Sequence, residues 1–150
     1  MGQEPTKAVL YAGTYPRSLD AKKRVAIPSA WVSGEGVEFH VVPHPLDGYL
    51  MVMGREELSS WKQIFQGLPM APQERRAAIR KFYGEAHAVT TDKQGRILLP
   101  EKHCEKAGLA GDVVFVGSES RFEIWSKARY DATQPGDEDF YKRAAELSGL

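Results

Sequence analysis

The 150-residue sequence contains one cysteine, Cys104. A lone thiol cannot close an internal disulfide or build a zinc site from several thiolates, so a reducing compartment is the expected setting. Long apolar runs are missing as well. None approaches the ~20 residues that cross a bilayer. Met1 to Lys7 lacks the charged-then-apolar pattern of a signal peptide. The expectation is a cytoplasmic protein with no membrane contact. Gly-x-x-x-x-Gly-Lys-Ser/Thr and Gly-x-Gly-x-x-Gly are absent, which leaves no recognisable nucleotide loop. Net charge is absent too, since twenty Lys and Arg balance twenty Asp and Glu.

What is present is a globular balance of 42% hydrophobic and 27% charged residues, enough for one ordinary domain or two small units sharing a core. The neutral total hides a polarised chain. Residues 1–30 hold five basic groups against two acidic ones, a net +3. Residues 131–150 hold Asp131, Asp137, Glu138, Asp139 and Glu146 against Lys142 and Arg143, a net −3. A polyanion would therefore be met by a local face and not by the field of the whole molecule.

The chain repeats itself. Leu19-Asp20-Ala21-Lys22-Lys23-Arg24-Val25-Ala26-Ile27-Pro28 aligns with Thr91-Asp92-Lys93-Gln94-Gly95-Arg96-Ile97-Leu98-Leu99-Pro100, with Asp, Arg and Pro each 72 residues apart. Gly48-Tyr49-Leu50-Met51-Val52 has its counterpart in Arg121-Phe122-Glu123-Ile124-Trp125, now 73 apart, as one extra loop residue would produce. Both halves read as strand, charged turn, strand, Pro, short helix, then a hairpin and a helix. Val9 to Tyr15 and Arg24 to Ile27 form the first strand pair, with Val37 to Val42 and Tyr49 to Met53 the second. Glu85 to Thr90, Arg96 to Leu99, Asp112 to Val116 and Arg121 to Trp125 follow. Gly95 suits a position of positive φ, and Asp92 can cap its turn. Apolar spacing predicts helices over Arg55 to Phe65, from Pro72 to a stop at Gly84, and over Glu101 to Ala107 with Gly108 closing it. Gln134-Pro135-Gly136-Asp137-Glu138-Asp139 reads as a break, leaving either a weak helix over Phe140 to Leu147 or a mobile end.

Each half presents a basic hairpin tip: Lys22, Lys23 and Arg24 in one, Lys93 and Arg96 in the other. A β-ribbon is narrow enough for the DNA major groove. Arginine can bond guanine O6 and N7 together, while lysine neutralises phosphates. Basic turns are ordinarily solvated surface; the same pattern twice in one chain sets these two apart. Asp20 and Asp92, in equivalent turns, read as caps and braces and not as a catalytic pair. His40 and His44 lie in a strand and a Pro-rich turn with no third ligand at metal-site spacing. His103 and Cys104 are sequence neighbours, a poor geometry for nucleophilic catalysis. No catalytic activity, cofactor or metal is expected. Trp31, Tyr49, Trp61, Phe122 and Trp125 could stack on bases, but their spread over strands and amphipathic helices favours the core. Arg75, Arg76, Arg80 and Lys81 read as an interface or solvated face ahead of a DNA contact. The alternative is an oligomeric protein-interaction module whose tips meet an acidic partner; a small metal or thiol enzyme is a third.

These residues, together with Asp47-Gly48-Tyr49-Leu50, Gln73-Glu74-Arg75-Arg76, Ala107-Gly108-Leu109 and Val116-Gly117, resemble the MraZ family of the AbrB-like, swapped-hairpin class over roughly residues 8 to 130. The resemblance implies an α+β fold in which two pseudo-symmetric repeats form a small β-barrel-like core with flanking helices. Repeat 1 would span 8–54, a helical connection 55–84, repeat 2 85–130 and an acidic C-terminal tail 131–150. It implies a cytoplasmic, nucleoid-associated transcriptional regulator, binding direct repeats of double-stranded DNA upstream of a division and cell-wall gene cluster. It also implies a homo-oligomeric ring, an octamer or dodecamer. Its contact role falls on Lys22 and Arg24 in the first turn and on Arg96 in the second. Lys23 stands where the family's first turn has glycine; a lysine at positive φ costs about 1 kcal/mol.

Overall fold

The computed structural model describes residues 9–150. Lys7, Glu4 and the start of the first repeat at residue 8 lie outside that range. Eight strands and four helices follow one another as β1 (Thr14–Ser18), β2 (Arg24–Ala26), β3 (Glu38–Pro43), β4 (Leu50–Met53), α1 (Arg55–Gln66), α2 (Pro72–Glu85), β5 (His87–Thr90), β6 (Arg96–Leu98), α3 (Glu101–Ala107), β7 (Asp112–Ser118), β8 (Arg121–Ser126) and α4 (Lys127–Ser148).

The α+β class is as expected, and the repeats exchange strands. The six-stranded sheet runs β1-β7-β8-β4-β3-β5, and β2 pairs with β6 in a separate two-stranded ribbon. Thus β1 of the first repeat lies against β7 of the second, while β5 of the second lies against β3 of the first. Swapping the repeats reverses the strand order onto itself. The ribbon shares this symmetry: Val25 pairs with Ile97 at its centre, flanked by Arg24 opposite Leu98 and Ala26 opposite Arg96. The barrel-like core stops short of closure, because β1 and β5 each have a single partner among the described residues.

Strand alternation sends successive side chains to opposite faces of the sheet. Val41, Leu50, Val52 and Ile124 bury one face in a cluster with Val25, Ile27, Ile97 and Leu99. Val42, Met51, Met53 and Trp125 bury the other against Leu58 of α1 and Phe82 and Tyr83 of α2. The ribbon covers one side and the first two helices the other. Trp31, Tyr49, Phe122 and Trp125 are buried, and Trp61 is half-buried, so the aromatics pack as core.

Four local expectations are corrected. The first strand is Thr14–Ser18 and not Val9 to Tyr15; only Tyr11 makes an isolated bridge, to Glu119. Gly13 at φ 102° turns the chain between them, and Pro16 is tolerated because β1 is an edge. The short helix expected after Pro28 is a single turn closed by Trp31 and Val32 donating to the Pro28 carbonyl, and Gly34 and Gly36 at positive φ follow it. Helix α2 runs past Gly84 to Glu85, whose carboxylate is held by Lys81 and Lys106 at 2.9 and 2.8 Å. The expected break at Pro135-Gly136 is instead the middle of α4, a 22-residue helix.

Candidate nucleic-acid interface

The two charged turns have one hydrogen-bond plan. In the first, the amides of Lys22 and Arg24 donate to Asp20 Oδ1 at 2.9 and 2.8 Å, and Arg24 Nε donates to Oδ2 at 2.8 Å. In the second, the amides of Gln94 and Arg96 both donate to Asp92 Oδ1 at 2.9 Å, and Arg96 Nε donates to Oδ2 at 3.0 Å. Each aspartate is therefore the cap and brace that its position implied. The Arg24 and Arg96 amides, ahead of the other contacts, hold the two carboxyls below the usual aspartate range. The turns close with Lys23 and Gly95 donating to the Asp20 and Asp92 carbonyls at 3.0 Å. Lys23 has φ 66° and Gly95 φ 74°, so the lysine occupies the left-handed position that glycine takes in the second turn.

The turns are also fastened to each other. Leu99 donates to the Lys23 carbonyl at 2.9 Å, and Ile27 donates to the Gly95 carbonyl at 3.0 Å. Each positive-φ residue is thereby tied to the strand of the opposite repeat. Because β2 and β6 run antiparallel, the turns sit at opposite ends of the ribbon. Lys23 lies level with Leu99, and Gly95 with Ile27. Four residues of strand separate those levels, about 13 Å at ~3.3 Å per residue.

Alternation sets the ribbon's two faces. Val25 and Ile97 point into the core, at 1% and 0% exposure. Arg24, Ala26, Arg96 and Leu98 share the opposite, outward face. Arg24 and Arg96 are diagonal neighbours there, roughly 7–8 Å apart along the ribbon, and their side chains are 35% and 32% exposed. The Nε–carboxylate bond fixes each guanidinium and leaves its two Nη groups at the ribbon surface. Those of Arg24 have no hydrogen-bond partner among the described residues, while Arg96 Nη2 reaches Gln94 Oε1 at 3.4 Å. Lys22 and Lys93 are exposed beside them and Lys23 is half-exposed. All five sequence-selected residues thus gather on the ribbon and its two turns.

Leu98, a large apolar side chain 57% exposed between the arginines, belongs to this surface and was not selected from the sequence. The signal was available: in Ile97-Leu98-Leu99 the middle residue must face away from the core. Gln94, exposed where the first turn has Lys22, belongs to the same surface.

The other candidates lie elsewhere. His44 stacks on Tyr49, and its Nδ1 accepts from the amides of Leu46 and Asp47. His103 is buried with Nε2 2.7 Å from the Glu85 carbonyl oxygen, and burial raises the pKa of the adjacent Cys104 thiol. Arg75 caps the end of α1 through the Gln66 and Met70 carbonyls, and Arg76 and Arg80 are exposed on α2, across the sheet from the ribbon.

Residues 82–148 match the family model described as "MraZ protein, putative antitoxin-like". A protein of Acetivibrio thermocellus named "Transcriptional regulator MraZ" is 38% identical over 130 residues, 87% of this chain and 90% of the relative. Proteins of the same name from Lachnoclostridium phytofermentans and Clostridium beijerinckii are 40% identical over 123 residues and 33% over 141. They cover 82% and 94% of this chain, and 86% and 99% of their own lengths. With likeness at that level over most of its length, the chain belongs to the MraZ family.

Proposed function

We propose that this protein is a sequence-specific, double-stranded-DNA-binding transcriptional regulator and not an enzyme. The ribbon would lie in the major groove. Arg24 and Arg96 would face guanines, and Lys22, Lys23 and Lys93 the flanking phosphates. One observation carries the reading: two equivalent basic turns are each locked by an aspartate and cross-tied into one outward ribbon that holds both arginines on a single face. A guanidinium fixed in advance through Nε spends little rotamer entropy when its Nη groups meet a base edge. The relatives' shared name supports the same function. The targets would be direct repeats upstream of a division and cell-wall gene cluster, engaged on the nucleoid by a closed ring of copies, an octamer or dodecamer. Linked units gain avidity when their spacing matches that of the repeats.

The test is binding of purified protein to duplex DNA from upstream of its own gene, across a salt series. Log affinity should fall steeply with log salt, as counterions leave the phosphates, and unrelated duplex should bind at least 100-fold more weakly. A flat salt response, or equal affinity for both duplexes, would remove the proposal.

A further inference from the structure

Among the described residues, Leu98 is the one exposed large apolar side chain that lies in a strand. Its neighbours Ile97 and Leu99 are both buried. A single exposed leucine is ordinary surface. What sets Leu98 apart is its company. The ribbon pairs Arg24 with Leu98 and Ala26 with Arg96. Backbone bonds from Leu99 to Lys23 and from Ile27 to Gly95 mark the alternate positions as the hydrogen-bonded ones. Arg24 and Leu98 are therefore a non-hydrogen-bonded pair, the kind whose Cα atoms stand about 4.5 Å apart and whose side chains come closest. Arg96 lies two residues back on the same strand, and so on the same face. Leu98 thus stands beside one arginine and in line with the other.

The Nε bonds to Asp20 and Asp92 hold the two guanidinium groups to their own turns. Leu98 is left 57% exposed between them, with no side-chain donor or acceptor to offer. In the major groove one base-edge group answers such a side chain, the C5 methyl of thymine. The other groups that tell bases apart there are donors and acceptors, which a leucine desolvates without pairing. Spacing agrees with this. Successive base pairs rise about 3.4 Å, against the ~4.5 Å between the Arg24 and Leu98 Cα atoms. With Arg24 over a guanine, Leu98 lies over a neighbouring base pair.

We infer that Leu98 reads the C5 methyl of a thymine adjacent to the guanine faced by Arg24. This rests on the ribbon lying in the major groove, as proposed above, and adds a specificity element that the cations do not supply. It also makes the two halves of the ribbon unequal. Ala26 holds the equivalent place beside Arg96 and is half-buried. Its single methyl stops short of where a leucine ends. One half of the ribbon therefore selects a guanine with a thymine beside it, and the other half a guanine alone. The two halves of a bound site differ in sequence accordingly, although the arginines that face them are equivalent.

Deoxyuridine in place of thymine removes that methyl and keeps the base pairing, so the duplex from upstream of the gene, made with either base, tests the contact. Wild-type protein should bind the deoxyuridine duplex about 4-fold more weakly for each ribbon engaged, the worth of one buried methyl. Leu98→Ala alters one exposed side chain and should keep the wild-type circular dichroism. It should bind the thymine duplex about as weakly as wild type binds the deoxyuridine one, and it should bind both duplexes alike. Equal affinity of the wild type for the two duplexes would overturn the inference. So would discrimination that survives in Leu98→Ala, as an effect of the missing methyls on duplex shape would. Specific, salt-dependent binding without methyl dependence would remove this contact and leave the proposed function standing. Wild-type protein that does not bind the upstream duplex at all would remove both.

Discussion

The two charged turns share a skeleton and differ in what they display. Asp20 and Asp92 make the same three bonds, at distances that agree within 0.2 Å. Arg24 and Arg96 occupy the same place on the ribbon. Between them the residues diverge: Ala21, Lys22 and Lys23 in one turn become Lys93, Gln94 and Gly95 in the other. On the outward face Leu98 of one strand stands where the other has Ala26. The shared residues set the geometry, and the unshared ones are free to set preference. A duplicated unit can thus hold two arginines in symmetric positions and still present unlike surfaces to the two halves of a site.

The largest effect should come from removing what joins the turns. Ile97→Ala empties the centre of the ribbon's inner face and should cost about 2–5 kcal/mol of unfolding free energy by denaturant titration. A loss below 1 kcal/mol would mean that the ribbon is not fixed by the core. Next come Arg24→Ala and Arg96→Ala, compared on one duplex. Each should weaken specific binding by about 1–3 kcal/mol while leaving the fold intact. If only one does so, the repeats are equivalent in structure and unequal in recognition. Lys23→Gly makes the turns more alike. Relief of the left-handed lysine should add about 1 kcal/mol to stability, less the extra entropy of an unfolded glycine. The same change should lower the salt slope of DNA binding by about one. The mildest test is acid. Both turn carboxyls have folded pKa values below their unfolded ones, so their contribution is present above pH ~4 and is lost as pH falls through the folded values. The protection factors of the Arg24 and Arg96 amides, exchange corrected for its intrinsic pH dependence, should then fall together below pH 4 and stay unchanged between pH 5 and 8.

Much of this was legible in the sequence because it is local. The Asp-to-Arg spacing writes the turn's own hydrogen bonds, and Gly95 marks the positive φ that Lys23 adopts in its place. The 72-residue offset announces the symmetry. Which strand pairs with which was not legible. A period of two says that β1 has a buried face and does not say that β7, from the other repeat, will cover its edge. Helix α4 was missed for the opposite reason: Pro135 and Gly136 are strong local signals, and the chain continues through them.

Lysine footprinting with and without bound duplex tests the central claim most directly, because it reports where the DNA lies. Reductive methylation of the complex with upstream DNA should spare Lys22, Lys23 and Lys93, while Lys62 on α1 and Lys142 on α4 react as they do in free protein. Full reactivity of the three turn lysines in a saturated complex, with protection on α1 or α2 instead, would place the nucleic acid on the other face and contradict the account.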